Sequence, residues 1–308
     1  MLALVADRSS DIGLSHRDVP DPHPLPNEAL VEQRATSLNR GEIRRLAARE
    51  EGTIPGWDVA GVVVRAAQSG RPPEGAHVVG LVHEGAWAER VAVPVETLAE
   101  IPGEVSFADA ATLPVAGVTA YRTLACGGML TGRRVLITGA SGGVGRFAIQ
   151  LGRRAGAHVT AVAGSERRAE GLAELGADDV VVGFGAEGPR FDLILESAGG
   201  ESLANAMRRI AKRGTVVAFG NSSSEPTTIN ISEFYGPAPT ARVYGFMVFD
   251  EIRREESGSQ DLRALAELVA AGELKTEIGL EANWRDPAEA IKALMDRRVA
   301  GKAVLHFE

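Results

Sequence analysis

Over the first 113 residues, apolar and polar positions alternate in short runs. Segments 29–32, 61–65, 77–82 and 90–94 read as strands, separated by turn clusters such as DPHPLPNE and GRPPEG. The helical period appears there once, over 41–51, with Ile43, Leu46 and Ala47 on one face. A compact, mostly antiparallel β-domain is expected. After Leu113 the rhythm changes. Segments 134–138, 158–163, 180–182, 192–196, 215–219 and 242–246 read as strands, and helical patterns over 146–156, 167–175 and 203–212 fall between them. That alternation predicts βαβ units and a parallel, doubly wound sheet. The tail predicts helices over 261–271 and 287–296 and a last strand over 303–307. It need not form its own domain and could close back onto the first segment, which would make the architecture discontinuous.

Composition narrows the function. Of 308 residues, 44% are hydrophobic and 24% charged, which excludes disordered, collagen-like and disulfide-dense classes. A net charge of −8 argues against nucleic acid or an anionic membrane as partner. Only 4 basic residues are Lys, and the arginines are scattered along the sequence, so the bias reads as compositional rather than as a binding patch. The single cysteine, Cys126, excludes an intrachain disulfide and any multi-cysteine metal site. The first apolar run meets Asp7 and Arg8, and no apolar stretch is long enough for a membrane span. A cytoplasmic protein is the expectation.

The main site signal is Thr138-Gly139-Ala140-Ser141-Gly142-Gly143-Val144-Gly145, between a strand and a helix. Glycines there let a dinucleotide pyrophosphate reach the free N–H groups of the helix start, so Ser141, Gly142, Gly143, Val144 and Gly145 are cofactor candidates. Arg146 stands where a Walker loop would continue to Lys-Ser/Thr. The loop spacing also occurs in short-chain dehydrogenases, but no Tyr is followed by Lys four residues on. The second strand ends Gly164-Ser165-Glu166-Arg167-Arg168. Small and hydroxylated residues followed by two arginines suit the 2′-phosphate of NADP(H). The same arginines also suit a solvated helix start, and Glu166 suits NAD.

Several phrases around the loop resemble the medium-chain dehydrogenase/reductase superfamily: Pro55-Gly56-Trp57-Asp58-Val59-Ala60-Gly61, Gly85-Ala86-Trp87-Ala88-Glu89, 110–121 (AATLPVAGVTAY), Leu175-Gly176-Ala177-Asp178 and Gly301-Lys302-Ala303-Val304-Leu305. They run in order over nearly the whole chain and are most similar to the zinc-independent quinone oxidoreductases. The resemblance implies an α/β fold, with a Rossmann doubly wound parallel sheet (114–247) inserted into a GroES-like, mostly-β catalytic domain (1–113 plus 248–308). The positions matching the zinc ligands of metal-dependent members are Asn39, Trp57 and Val115, so no metal is expected. Resemblance adds Ala198, Gly220, Asn221, Phe246, Met247, Arg297 and Lys302 as cofactor positions. It also implies a homodimer through the edge strand over 242–246. One departure bears on the coenzyme. Many NADPH-using relatives place a Tyr after the third Rossmann strand, where this chain has Val181-Val182-Gly183-Phe184-Gly185.

Without a Lewis acid, hydride transfer needs an acceptor that is already electrophilic, such as a quinone or an α,β-unsaturated carbonyl. Asn39 and Arg40, at the replaced ligand position, are candidates for touching substrate or the nicotinamide ribose. Asn39 and Glu42 also have capping-box spacing for the helix that follows. Asp58 is a further catalytic candidate that would serve equally as an ion-pair partner. Thr119 matches a family residue near the nicotinamide, or packs a helix. An NADPH-dependent quinone or enone reductase is therefore expected. A dinucleotide-binding sensor or structural protein with little turnover is the alternative.

Overall fold

The computed structural model describes residues 1–307. The chain divides into two compact units, Met1–Val118 with Ile252–Glu308, and Thr119–Glu251. The expected breaks at 113/114 and 247/248 fall five and four residues early. The displacement has a local cause at the first break. Residues just past Leu113 stay bound to the first unit: the Val115 N–H donates to Asp58, and a side chain at Gly117 would meet Leu265.

The first unit opens with β1 (Leu2–Ala6) and β2 (Leu14–Asp18), an antiparallel pair. Then come β3 (Glu28–Leu38), the short α1 (Arg40–Arg44), β4 (Asp58–Arg65), β5 (His77–Leu81), β6 (Arg90–Pro94), β7 (Leu98–Glu100) and α2 (Phe107–Ala111). Strand β3 is far longer than its apolar run because it pairs with both β4 and β6. The expected helix over 41–51 shrinks to α1 and a 3₁₀ turn, Leu46–Ala48. The chain must leave the helix there because residues 52 and 53 pair with β1: the Gly52 N–H donates to Ala6, whose N–H donates to Thr53. A π-helical turn, Leu113–Gly117, closes this part.

The second unit runs α3 (Val118–Ala125), β8 (Arg134–Ile137), α4 (Gly143–Arg154), β9 (His158–Ala163), α5 (Glu166–Ala169), β10 (Asp179–Val182), β11 (Phe191–Glu196), α6 (Gly200–Arg209), β12 (Ile210–Ala218), α7 (Ile231–Tyr235), β13 (Arg242–Gly245) and α8 (Val248–Glu255), α3 and α8 crossing its limits. Its sheet is parallel throughout, in the order β10-β9-β8-β11-β12-β13. This is the Rossmann order, with its switch point between β8 and β11. Helix α5 is shorter than its pattern, and α6 keeps its expected ten residues but lies three residues earlier. Helix α5 stops before Gly171, which holds φ +77°, and α6 ends where Ile210 turns extended to pair with Phe191.

The tail returns to the first unit as α9 (Gly258–Ala270), β14 (Ile278–Asn283), α10 (Ala288–Met295) and β15 (Lys302–His306). Strand β15 lies antiparallel to β3 and parallel to β14, which completes a mixed sheet. Its core is built from Leu4, Val31, Val59, Trp87, Trp284 and Leu305 with their neighbours. Among the described residues, no helix is long and apolar enough to cross a membrane.

Candidate functional site

In the second unit the glycine loop leaves β8 at its carboxyl end. Gly139 takes φ +61°, the Ala140 N–H donates to Val162 on β9, and Gly142 caps α4. The first intrahelical bond runs from the Arg146 N–H to Gly142, leaving the amides of Gly143, Val144 and Gly145 without intrahelical acceptors. The two flanking glycines differ. A β-carbon at Gly142 would meet only the Gly139 carbonyl, at 3.4 Å, whereas one at Gly145 would lie 2.5 Å from Ala140 Cα. Gly145 is therefore demanded by the packing of helix on loop, and Gly142 is spared a side chain on its open side. The Ser141 hydroxyl is buried and has no hydrogen-bond partner. An open cradle beside free amides and an orphaned buried hydroxyl fit a dinucleotide pyrophosphate.

The other cofactor candidates of this unit gather at the same, carboxyl end of the sheet. Ser165 caps α5, and the Arg168 guanidinium folds back toward Gly164, within 3.7 Å of where a β-carbon there would stand. Glu166 and Arg167 are exposed. Ala198 and Gly220 lie on loops laced by Ser222 N–H to Ser197 and Ser223 N–H to Ala198. Asn221 uses its carbonyl oxygen to accept from the Ser224 N–H at 3.1 Å. Phe246 is buried, and Met247 is exposed.

Two residues that organise this end were not singled out from the sequence. Glu196, fully buried at the end of β11, accepts from Thr138 Oγ1, the amides of Ala198 and Gly199, and Ser202 Oγ, at 2.8–3.2 Å. Arg146 donates to the carbonyls of Ser141 and Glu170, both at 3.3 Å. A carboxylate ending the apolar run FDLILE was the available signal for Glu196.

In the first unit, Asn39, Asp58 and Lys302 meet in a buried cluster. Asn39 Nδ2 donates to Asp58 Oδ2 at 2.8 Å, and Asn39 Oδ1 accepts from Lys302 Nζ at 2.7 Å. Lys302 Nζ also donates to the Leu38 carbonyl at 3.1 Å and lies 3.6 Å from Asp58 Oδ2. Ser37 Oγ donates to the same carboxylate oxygen, and the Val115 N–H to the other at 3.0 Å. The π-helical turn supplies that amide, because its wider winding leaves it free to point at Asp58. Glu42 completes the group as the capping-box partner of Asn39, accepting from its N–H at 2.6 Å, while its second oxygen is unpartnered. Burial, and next the Asp58 charge, push the Glu42 carboxyl well above its ordinary value. Burial lowers the Lys302 ammonium against the opposing pull of Asp58 and Glu42.

Three sequence candidates are thus positioned differently from expectation. Asp58 is completely buried with both oxygens engaged, and Lys302 is turned into the same cluster rather than toward open space. Arg40 donates to the Leu294 and Met295 carbonyls at 2.8 and 3.0 Å, anchoring the carboxyl end of α10. Arg297 is exposed just beyond that helix, at φ +59°. Thr119 is buried, its carbonyl accepting from Thr123. At the positions matching family zinc ligands stand an amide with both atoms engaged, the buried indole of Trp57 and the aliphatic Val115. Zinc requires thiolate, imidazole or carboxylate donors, so these residues do not fit the metal.

Residues 143–271 match the family model described as "Zinc-binding dehydrogenase". The chain is 36% identical over 230 residues to the chloroplast envelope quinone oxidoreductase homolog of Arabidopsis thaliana, covering 67% of this chain and 70% of that one. It is 30% identical to prostaglandin reductase-3 of Bos taurus, covering 94% and 84% respectively. Its fold is that of Escherichia coli quinone oxidoreductase, solved with NADPH: TM-score 0.88 over 100% of both chains, at 22% identity.

Proposed function

The chain belongs to the medium-chain dehydrogenase/reductase superfamily, in its quinone-oxidoreductase-like branch, and from that premise we propose an NADPH-dependent, zinc-independent reductase of quinones or α,β-unsaturated carbonyls. The observation that supports this reading is that the positions resembling the zinc ligands of metal-dependent relatives hold Asn39, Trp57 and Val115, with Asn39 engaged by Asp58 and Lys302 instead. When bound, NADPH supplies the hydride. With no metal to polarise a carbonyl, the acceptor must delocalise the incoming charge onto its own oxygen.

The roles of the chain's residues follow. Ser141 and the amides of Gly143, Val144 and Gly145 hold the pyrophosphate, with Gly142 leaving room for it. Ser165 and Arg168, with Arg167 at the rim, receive the 2′-phosphate. Ala198, Gly220, Asn221, Phe246 and Met247 shape the rest of the dinucleotide site. Asn39 and Thr119 are the catalytic candidates of their respective units, Asn39 offering the remaining lone pair of its Oδ1 as a hydrogen-bond acceptor. Asp58 and Lys302 act as positioning residues that hold Asn39 in one orientation, and Arg40 positions α10. Edge strand β13, with Val243 41% exposed, pairs across a two-fold axis in a homodimer, which light scattering tests. Relatives named for quinones and for prostaglandins support the substrate class.

The test is NADPH oxidation with a panel of quinones and enones, followed by absorbance. Turnover on at least one class is expected. NADPH binding without turnover across the panel replaces this reading with that of a dinucleotide sensor.

A further inference from the structure

The end of the Rossmann sheet opposite the glycine loop holds a cavity of about 480 Å³, within the range of small-molecule sites. Its walls come from the amino ends of the parallel strands. Arg133 precedes β8, Asp192 opens β11, Lys212 and Arg213 lie on the irregular start of β12, and Arg242 opens β13. Four cations and one carboxylate therefore converge in a protein whose net charge is −8. Residues far apart in sequence make a patch that a scan of the chain reads as scatter.

The single carboxylate is already occupied. Asp192 accepts from Arg133 at 3.2 Å and from the Arg134 N–H at 2.9 Å. Arg242 is held in place by donating to Thr215 Oγ1 at 3.0 Å. Among the described residues, neither Lys212 nor Arg213 has a side-chain hydrogen bond or ion pair. A bulge places them: Phe191 pairs with Ile210 and Leu193 with Thr215, so the intervening residues loop out of the ladder. Arg213 sits at φ +62°, an uncommon region for a residue with a side chain. The cationic field extends beyond the cavity. Burial, and then the charge of Arg134, hold the Arg209 guanidinium below its usual range.

We propose that this cavity is a second anion site, distinct from the dinucleotide site, that binds a small phosphate-bearing polyanion. Two guanidiniums and an ammonium offer forked and point donors to phosphate oxygens, and concave walls strengthen their field. This site does not depend on the reductase reading, because it lies at the other end of the sheet and uses none of the cofactor residues.

Cys126, the chain's one cysteine, is half-buried on the cavity wall and serves as a local reporter. In protein saturated with NADPH, the rate of Cys126 labelling by a neutral pyridine disulfide is measured against increasing inorganic pyrophosphate at low salt. Protection that weakens with added salt is expected. The Lys212→Ala/Arg213→Ala double variant should need at least about tenfold more pyrophosphate for equal protection. Arg168→Ala should leave protection unchanged. Direct titration by calorimetry should give the same order of affinities. Both substituted side chains are exposed, and unchanged NADPH binding by the double variant reports its folding. The proposal is overturned if pyrophosphate gives no protection, if the double variant is protected like the parent, or if Arg168→Ala abolishes protection.

Discussion

Asn39 donates its side-chain amide to Asp58 at 2.8 Å while its carbonyl oxygen takes the Lys302 ammonium at 2.7 Å. One neutral side chain thus bridges a buried carboxylate and a buried cation. The bridge sets the orientation of Asn39, because a flipped amide would aim NH₂ at an ammonium and oxygen at a carboxylate. Burying two charges is tolerable only when their hydrogen-bonding capacity is met, and here strands β3, β4 and β15 and the π-helical turn all contribute.

Asn39→Leu removes the bridge and leaves two charges partly unpaired. A loss of about 3 kcal/mol in stability is expected, measured by urea unfolding. Asn39→Asp retains an acceptor for Lys302 but sets a second carboxylate against Asp58, and should also destabilise. A loss under about 0.5 kcal/mol for Asn39→Leu would show that the bridge contributes little.

The two loop glycines should separate in a binding experiment. Gly142→Val has room in the fold, its β-carbon meeting only one carbonyl at 3.4 Å, yet it fills the pyrophosphate path. It should unfold like the parent and lose dinucleotide binding. Gly145→Val collides with the Ala140 backbone and should lose stability as well. Undiminished NADPH affinity in Gly142→Val would remove the loop from the cofactor site.

Coenzyme preference tests Arg168. A guanidinium–phosphate pair contributes roughly 1.5–3 kcal/mol, about one to two decades in affinity. NADPH should bind at least about tenfold tighter than NADH, and Arg168→Ala should erase most of the difference. Nucleotide fluorescence titration reads both. Equal affinities in the parent would overturn the NADPH preference.

Glu42 makes stability depend on pH. Its folded value is raised above the ordinary 4.5, so above that pH the unfolded chain releases a proton that the folded chain keeps. Its contribution is complete below about pH 4.5 and is lost as pH rises through the folded value. Glu42→Gln keeps an acceptor for the Asn39 N–H and has no proton to lose. Relative to the parent, it should therefore gain stability between about pH 4 and pH 7. Urea titrations at the two pH values measure this, and parallel shifts in both proteins would count against it.

The purified protein should contain no stoichiometric zinc, and its NADPH oxidation should survive a chelator, because Asn39, Trp57 and Val115 offer no suitable donors. Elemental analysis finding one tightly held zinc per chain would contradict this.

Local patterns along the chain were sufficient for the Rossmann core. Strand–helix alternation, the loop from Thr138 to Gly145 and the acidic-then-basic run that follows β9 are all contained in short windows, where periodicity and glycine placement act. Helix ends were less legible. The run after Arg167 looks helical, but Gly171 at positive φ ends it, and the helix over 41–51 yields to pairing between residues 52 and 53 and β1. Propensity gives way to tertiary hydrogen bonding in such places.

The sequence by itself determined the fold class and the glycine loop, which depend on residue type at a fixed spacing, while its resemblance to a family implied the discontinuous return of the tail and the replaced zinc-ligand positions. Only the tertiary structure decided what replaces those ligands. Lys302 is 263 residues from Asn39, and no spacing rule links them; sheet pairing between β15 and β3 does. That pairing, with the pairing of β4 on β3, buries Asp58 and Lys302 together and makes them supports for Asn39. Parallel packing likewise brings Arg133, Lys212, Arg213 and Arg242 to one end of a sheet. Charge is a property of residues, but its field depends on where folding places them.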